Sequence, residues 1–303
     1  MPSIVVPVAR PCDWSATPTY ADIRDFFSNL DRGWLERFLK HRIADERVLH
    51  LIGKWLGAGI IEDGEWSQTE QGTPQGASAS PLLANVYLHY VFDLWAHQWR
   101  GRHAHGDVVI VRFADDFVVG FEHERDARRF LVDLHERFAK FGLELADDKT
   151  RLVEFGRFAA ERRRRRGLGR PETFAFLGFT HICASARSGR FMLRRVTIGK
   201  RMRVKLREVK DGLKQRRHLP IPEQGRWLAS VVRGHCAYYA VPTNSKAVKQ
   251  FRTQVIRLWQ RSLQRRSQRA RLDWTRMNRL VTRWIPPAHV AHPWPDARFY
   301  ART

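Results

Sequence analysis

Asp115 and Asp116 stand side by side between two apolar runs, Val108-Val109-Ile110-Val111-Arg112-Phe113 and Phe117-Val118-Val119-Gly120-Phe121. β-rich runs on either side of a short polar break predict a hairpin with both acids at its tip. An ionised carboxylate held against apolar strands is costly unless a nearby charge compensates it. Divalent cations supply that charge, and oxygen donors without nearby His or Cys select magnesium, with manganese as the alternative. An acid-rich turn that binds nothing is the plainer reading of the same residues. Asp22 shifts the balance, lying among apolar neighbours in Ala21-Asp22-Ile23-Arg24-Asp25-Phe26-Phe27, a segment that reads as a short strand running into a turn. Strand alternation places Asp22 and Arg24 on one face and Asp25 on the other. A third carboxylate beside Asp115 would complete a two-metal site, which activates an attacking hydroxyl, holds a triphosphate in line and stabilises departing pyrophosphate. Asp25 and Asp31 are near enough to be that third acid instead.

The elements that must position these acids follow from periodicity. Helical spacing runs through Trp34, Leu35, Phe38 and Leu39, then through Leu49, Ile52 and Leu56 in residues 46–56, which Gly57-Ala58-Gly59 ends. Gln71-Gly72-Thr73-Pro74-Gln75-Gly76 reads as a loop by its turn residues. A helix over residues 81–99, with Pro81 in its first turn, carries Leu83, Val86, Tyr87, Tyr90, Val91 and Leu94 on an apolar stripe. Ala127, Phe130, Leu131, Leu134 and Phe138 mark another helix, closed by Gly142. The order strand, helices, hairpin, helix, strand predicts an α+β layer with an antiparallel sheet and helices on one face. Residues 1–20 are Pro-rich without sustained period and read as a loose leader. The five arginines 162–166 read as a solvated loop. Residues 173–179 and 191–198 look like short strands, and everything after Gly199 reads helical.

Charge divides the chain. Residues 1–155 hold 18 Lys/Arg against 24 Asp/Glu, whereas residues 156–303 hold 36 against 7, within a net charge of +23. In the helical segments 200–213 and 246–266, one face is apolar and basic residues fill much of the rest. Such faces suit a phosphate backbone, and interleaved Trp, Tyr and Phe favour nucleic acid over a membrane surface or a ribosomal partner. No apolar run approaches the ~20 residues needed to span a bilayer. Three widely spaced cysteines form no metal-ligand pattern and suggest a reducing cytosol. A bacterial cytoplasmic location, in association with nucleic acid, is the expectation.

These motifs occur together in the order and rough spacing of a known family. Asp22 with Phe26-Phe27, then Thr73-Pro74-Gln75-Gly76 and Ser80-Pro81-Leu82-Leu83-Ala84-Asn85, then Phe113-Ala114-Asp115-Asp116 resemble reverse-transcriptase palm motifs. Gly142-Leu143-Glu144-Leu145 with Asp148-Lys149-Thr150 is similar to the next palm element, and Phe176-Leu177-Gly178-Phe179 to the primer grip. Arg233-Gly234-His235-Cys236-Ala237-Tyr238-Tyr239, within residues 227–244, resembles the maturase thumb of group II intron-encoded proteins. The resemblance implies a polymerase-type palm over residues 21–198 and an all-α basic thumb/maturase domain over 199–303. It implies RNA-directed DNA synthesis with dNTPs on a DNA primer, and binding of intron RNA. Asp22, Asp115 and Asp116 would ligate Mg2+, joined by the Ile23 carbonyl. Phe27 matches the gate that excludes a ribose 2′-hydroxyl, or is a core aromatic. Gln75 and Gly76 would line the template and nucleotide pocket. Lys149 would approach the triphosphate, or is a surface lysine. Arg201, Lys205, Arg233 and Arg257 are the candidate RNA contacts. About 20 residues precede the Asp22 motif, where the family has a long fingers region, so the expectation is a palm and thumb without fingers. The rival reading is an inactive RNA-binding maturase or an intron-protein remnant. Whether the chain dimerises is left open.

Overall fold

In a computed structural model of the chain, residues 15–21, 23–57, 60–62, 65–67, 79–148, 150–266 and 272–294 are described. The chain forms two compact units, residues 1–172 and 173–303. In the first, β1 (Ser15–Ala21) leads through a helical turn, α1 (Phe26–Asn29), into α2 (Arg32–Lys40) and α3 (Glu46–Gly57). A two-stranded ribbon follows, β2 (Ile60–Glu62) with β3 (Glu65–Ser67). Then come α4 (Ser80–Leu88), a π-helical turn (His89–Asp93) and α5 (Leu94–His103). The hairpin is β4 (Val108–Phe113) with β5 (Asp116–Phe121), succeeded by α6 (Glu124–Ala139). Two short strands, β6 (Arg151–Leu152) and β7 (Phe155–Gly156), precede α7 (Ala159–Arg165).

The five strands form one antiparallel sheet in the order β4-β5-β1-β6, with β7 also paired to β1. Alternation along β5 turns Phe117, Val119 and Phe121 into the core, where each is fully buried. Aromatic rings meet them from the helices. Phe92 lies 4.5 Å from Phe117, and Phe130 lies 5.2 Å from Phe121. Trp99 meets both Phe121 and Phe130 edge-on. The carboxyl end of α6 is fixed by Gly142 at φ +69°, with Leu143 N–H donating to the Phe138 carbonyl at 3.0 Å, a Schellman closure.

The second unit opens on a three-stranded antiparallel sheet, β8 (Phe174–Phe176), β9 (Phe179–Ser185) and β10 (Phe191–Thr197), in the order β10-β9-β8. Four helices follow: α8 (Gly199–Gln215), α9 (Ile221–Tyr239), α10 (Ser245–Gln264) and α11 (Trp274–Trp284). Their core gathers Val209, Leu213, Leu228, Val232, Phe251 and Trp259. Trp259 Nε1 donates to Gln224 Oε1, whose amide nitrogen reaches the Arg216 carbonyl at 2.8 Å, so a polar pair inside the bundle is satisfied.

Three sequence expectations change. The leader is not loose throughout, because Ser15–Ala21 is a strand paired on both sides. The strand expected over residues 21–27 stops at Ala21; Ile23 makes an isolated bridge to Leu145 and a helical turn begins at Phe26. The arginine run is helical rather than a loop. Arg163 reaches both Glu154 (3.7 Å) and Glu172 (3.5 Å), Arg166 pairs with Glu154, and Ala159 is buried beneath. The compact units divide at Glu172/Thr173. Thr197 donates its backbone N–H to Asn244 Oδ1 and accepts at its hydroxyl from Asn244 Nδ2, and the Leu177 carbonyl accepts from the Tyr238 hydroxyl, so β8–β10 belong with the helices.

Candidate active site and nucleic-acid face

Phe113 pairs with Asp116 across the hairpin, leaving Ala114 and Asp115 as a two-residue loop. Ala114 has φ 55°, and Asp115 is not in the left-handed region. Positive φ at the first loop position alone is the pattern of a II′ turn, where glycine is the usual occupant. An alanine there is strained, by an amount on the order of 1–2 kcal/mol. The hairpin therefore holds its acids in a conformation that the surroundings must impose. Asp115 and Asp116 are both half-buried, while Phe113 beside them is 60% exposed.

Arg112 does much of the imposing. Its Nε and Nη2 donate to the two carboxylate oxygens of Asp93 at 2.7 and 2.5 Å. Its Nη1 donates to Asn85 Oδ1 and to the Ala114 carbonyl, both at 2.9 Å. One guanidinium thus ties the strained turn to α4 and to the π-helical turn that contains Asp93. Bidentate Arg–carboxylate pairs fix direction as well as distance. Neither Arg112 nor Asp93 was singled out from sequence. The available signal was a lone arginine inside an apolar strand, since a half-buried charge requires a partner.

The other predicted residues fall as follows. Ile23 is buried and bridges Leu145, and the next residue, Arg24, donates its N–H to the Glu144 carbonyl at 2.9 Å. Arg24 also reaches Glu144 Oε1 at 3.0 Å. Phe26 is the core aromatic of the pair, and Phe27 is half-buried with its ring 5.5 Å away. Asp22, Gln75, Gly76 and Lys149 lie outside the described residues. The register pairs Ala21 with Phe117, which brings the described end of β1 to within one residue of Asp116 in the ladder. Among the described residues no group of three His, Cys, Asp or Glu side chains could hold a metal. Asp115 and Asp116 offer hard oxygen donors, whose chemistry fits magnesium rather than a thiophilic metal.

In the second unit, two motifs that are far apart in sequence meet. Leu177 and Gly178 turn the chain at φ 46° and 80°. The Tyr238 hydroxyl donates to the Leu177 carbonyl at 2.9 Å, and Phe179 packs against the rings of Tyr238 and Tyr239. A Cβ at Gly178 would lie 3.0 Å from the Tyr239 hydroxyl and 3.3 Å from Arg201 Nη1, so the turn requires glycine for space as well as for φ. Arg201 and Lys205 are exposed on one side of α8 and line a common cavity. Arg233 and Arg257 are exposed on α9 and α10. His235 is buried, stacked on Phe251 at 3.6 Å; burial, with Lys205 nearby, pushes its pKa down to about 4. Burial likewise lowers His181 to about 4, Arg195 adding to the effect.

Residues 15–181 match the family model described as reverse transcriptase (RNA-dependent DNA polymerase). The group II intron-encoded protein LtrA of Lactococcus lactis subsp. cremoris is 44% identical over 68 residues, which is 22% of this chain and 11% of LtrA. The "uncharacterized 91 kDa protein in cob intron" of Schizosaccharomyces pombe is 40% identical over 137 residues, 43% of this chain and 14% of that one. The chain therefore covers only 11–14% of the length of these two relatives. Among solved structures, an apo telomerase from Candida tropicalis truncated from its C-terminal domain aligns with 59% of this chain and 35% of its own, at 14% identity and a TM-score of 0.44.

Proposed function

Because the chain belongs to the reverse transcriptase family, we propose that it extends a DNA primer on an RNA template by two-metal nucleotidyl transfer, and that its basic second unit binds intron RNA. The observation that carries this reading is the Asp115-Asp116 tip, set on a strained turn that Arg112 clamps to two helical elements. In the reaction, the primer 3′-oxygen forms a bond to the α-phosphorus of a dNTP. The bond from that phosphorus to its bridging oxygen breaks, pyrophosphate leaves, and the hydroxyl proton passes to solvent. Asp22, Asp115 and Asp116, with the Ile23 carbonyl, would hold Mg2+, which lowers the pKa of the attacking hydroxyl and neutralises charge on the triphosphate. The chain's own contribution is placement: Arg112 fixes the turn carbonyl and so the direction in which Asp115 presents its carboxylate. Phe27 stands as the sugar-discriminating side chain, Gln75 and Gly76 as the lining of the nucleotide pocket, and Lys149 as a triphosphate contact.

A second reading, RNA binding without synthesis, draws on the separate core and the basic helix faces of the second unit. Primer extension on an RNA template in magnesium separates the two. The polymerase reading expects product from the wild type and none from Asp115→Ala. RNA binding by the wild type with no extension, or extension that survives Asp115→Ala, refutes it.

A further inference from the structure

The second unit contains a cavity of about 710 Å³ between α8 and α9. That lies within the ~300–1,000 Å³ typical of small-molecule sites. Two chemistries share its walls. Met202, Val231, Tyr239 and the His235 ring are apolar or aromatic, whereas Lys200 and Arg201 are cationic. Lys205 and Glu208 also line it, already joined at 2.8 Å. His235 is only 6% exposed, yet its Nε2 has no hydrogen-bond partner. A buried imidazole nitrogen without a partner carries a desolvation cost that a ligand group can relieve.

The glycines of these helices make the same point. Gly212 and Gly225 are required by packing, because a Cβ there would lie 2.7 Å from the Trp227 ring and 2.5 Å from the Trp284 ring. Gly234 also sits within a helix, where glycine is among the least favourable residues, but a Cβ at this position would meet nothing within 4 Å. Gly234 lines the cavity. Its missing side chain serves no packing and keeps that space open.

We propose that this cavity takes one unpaired nucleotide, its base against Tyr239 and Val231 beside Gly234, with a base-edge donor serving His235 and the phosphate held by Lys200 and Arg201. The proposal deepens the RNA-binding part of the function above and rests on it. A wall that is partly apolar and aromatic and partly cationic matches an aromatic anion, and base–aromatic stacking is the usual source of affinity for single strands. A duplex held by its backbone needs basic helix faces but no cavity.

The test uses the full chain and labelled RNA at fixed salt: an intact single strand, the same strand made abasic, and a duplex. Gly234→Leu sends a side chain into the cavity from a position whose Cβ meets nothing within 4 Å, and its melting temperature should not fall. It should weaken the intact strand by about 5–150-fold, the range set by stacking of one base. Abasic strand and duplex should bind the variant as they bind the wild type. His235→Phe, which keeps the ring stack, should weaken the intact strand and reduce discrimination among bases. Displacement of the strand by AMP supports a free nucleotide as occupant; no displacement with the abasic difference intact supports a nucleotide within the strand. Equal wild-type affinity for intact and abasic strands, or no loss of strand affinity in Gly234→Leu, overturns the proposal. Primer extension run beside it keeps the two ideas apart. Absent extension with a discriminating cavity sinks only the polymerase reading, and normal extension with an indifferent Gly234→Leu sinks only the cavity.

Discussion

Breaking the pair between Arg112 and Asp93 should both unsettle the first unit and disarm the hairpin, and a double-mutant cycle measures the link. Arg112 donates two hydrogen bonds to Asp93, and the two side chains are 13% and 33% exposed. Breaking a fully buried pair costs about 3–5 kcal/mol, whereas an exposed pair contributes about 0.2–1 kcal/mol. Partial burial places each single variant, Arg112→Met or Asp93→Leu, at roughly 2–3 kcal/mol, because each leaves a charge without its bidentate partner, with only His89 at 3.6 Å remaining near Asp93 and Asn85 and the Ala114 carbonyl near Arg112. Having no charge left unpaired, the double variant should cost no more than Arg112→Met alone, which already loses the bonds to Asn85 and the Ala114 carbonyl. That corresponds to a coupling energy of about 2 kcal/mol and a fall of roughly 4–12 °C in the first unit's melting temperature for each single variant. Urea unfolding followed by tryptophan fluorescence gives the energies. Primer extension gives the functional consequence, a loss of about 10²-fold for Arg112→Met, since displacement of a reacting group by ~1 Å costs that much. Additivity of the two substitutions to within ~0.5 kcal/mol would refute the idea that this pair acts as a unit.

Other expectations follow from equally local features. Nucleic-acid affinity should fall about 10³–10⁵-fold between 50 and 200 mM salt if six to ten phosphates are contacted, as filter binding or anisotropy can read. A flat response would deny the basic unit its role. Gly225→Ala should destabilise the second unit by about 1–3 kcal/mol, because its Cβ would lie 2.5 Å from the Trp284 ring. Gly234→Ala should be neutral or stabilising in the same unfolding experiment. His235 titrates near 4 in the folded chain against about 6.5 when unfolded. Between those values the unfolded state binds the extra proton, so this contribution is complete above pH 6.5 and lost as pH falls toward 4, up to about 3 kcal/mol. His235→Phe should flatten that part of the stability–pH curve.

The chemistry-bearing hairpin was legible because its signal is local: β-branched runs, a short polar break and two acids within a few residues. The same holds for α3, α6 and α10, whose apolar stripes repeat at helical spacing and whose bounds fall within a few residues of expectation. β1 was not legible. Ser15-Ala16-Thr17-Pro18-Thr19-Tyr20-Ala21 has no apolar alternation and includes a proline, and it is a strand because neighbours pair with it on both sides. Partners in three dimensions override intrinsic preference in this way. The arginine run misled for a related reason: its order comes from Glu154 and Glu172, which lie outside it. Arg112, Asp93 and Asn85 form one cluster although 27 residues separate its ends, and the unit boundary depends on bonds spanning 47 and 61 residues. No periodicity carries such information.

The π-helical turn at His89–Asp93 has a meaning in terms of phase. From Leu83 the buried positions run Leu83, Tyr87, Val91 and Ala84, Leu88, Phe92, Ala96, a strict four-residue beat. An α-helix advances about 100° per residue, so each beat overshoots a full turn by about 40°, and three would swing the apolar stripe through about 120°. The wide turn, closed by the Leu94 N–H on the His89 carbonyl, absorbs that drift and lets one side of the rod keep facing the sheet over its whole length. It acts as a leap day inserted into the helical calendar. Removing one residue from it would restore ordinary counting, rotate α5 by about 100°, and carry Trp99 out of the core while taking Asp93 away from Arg112.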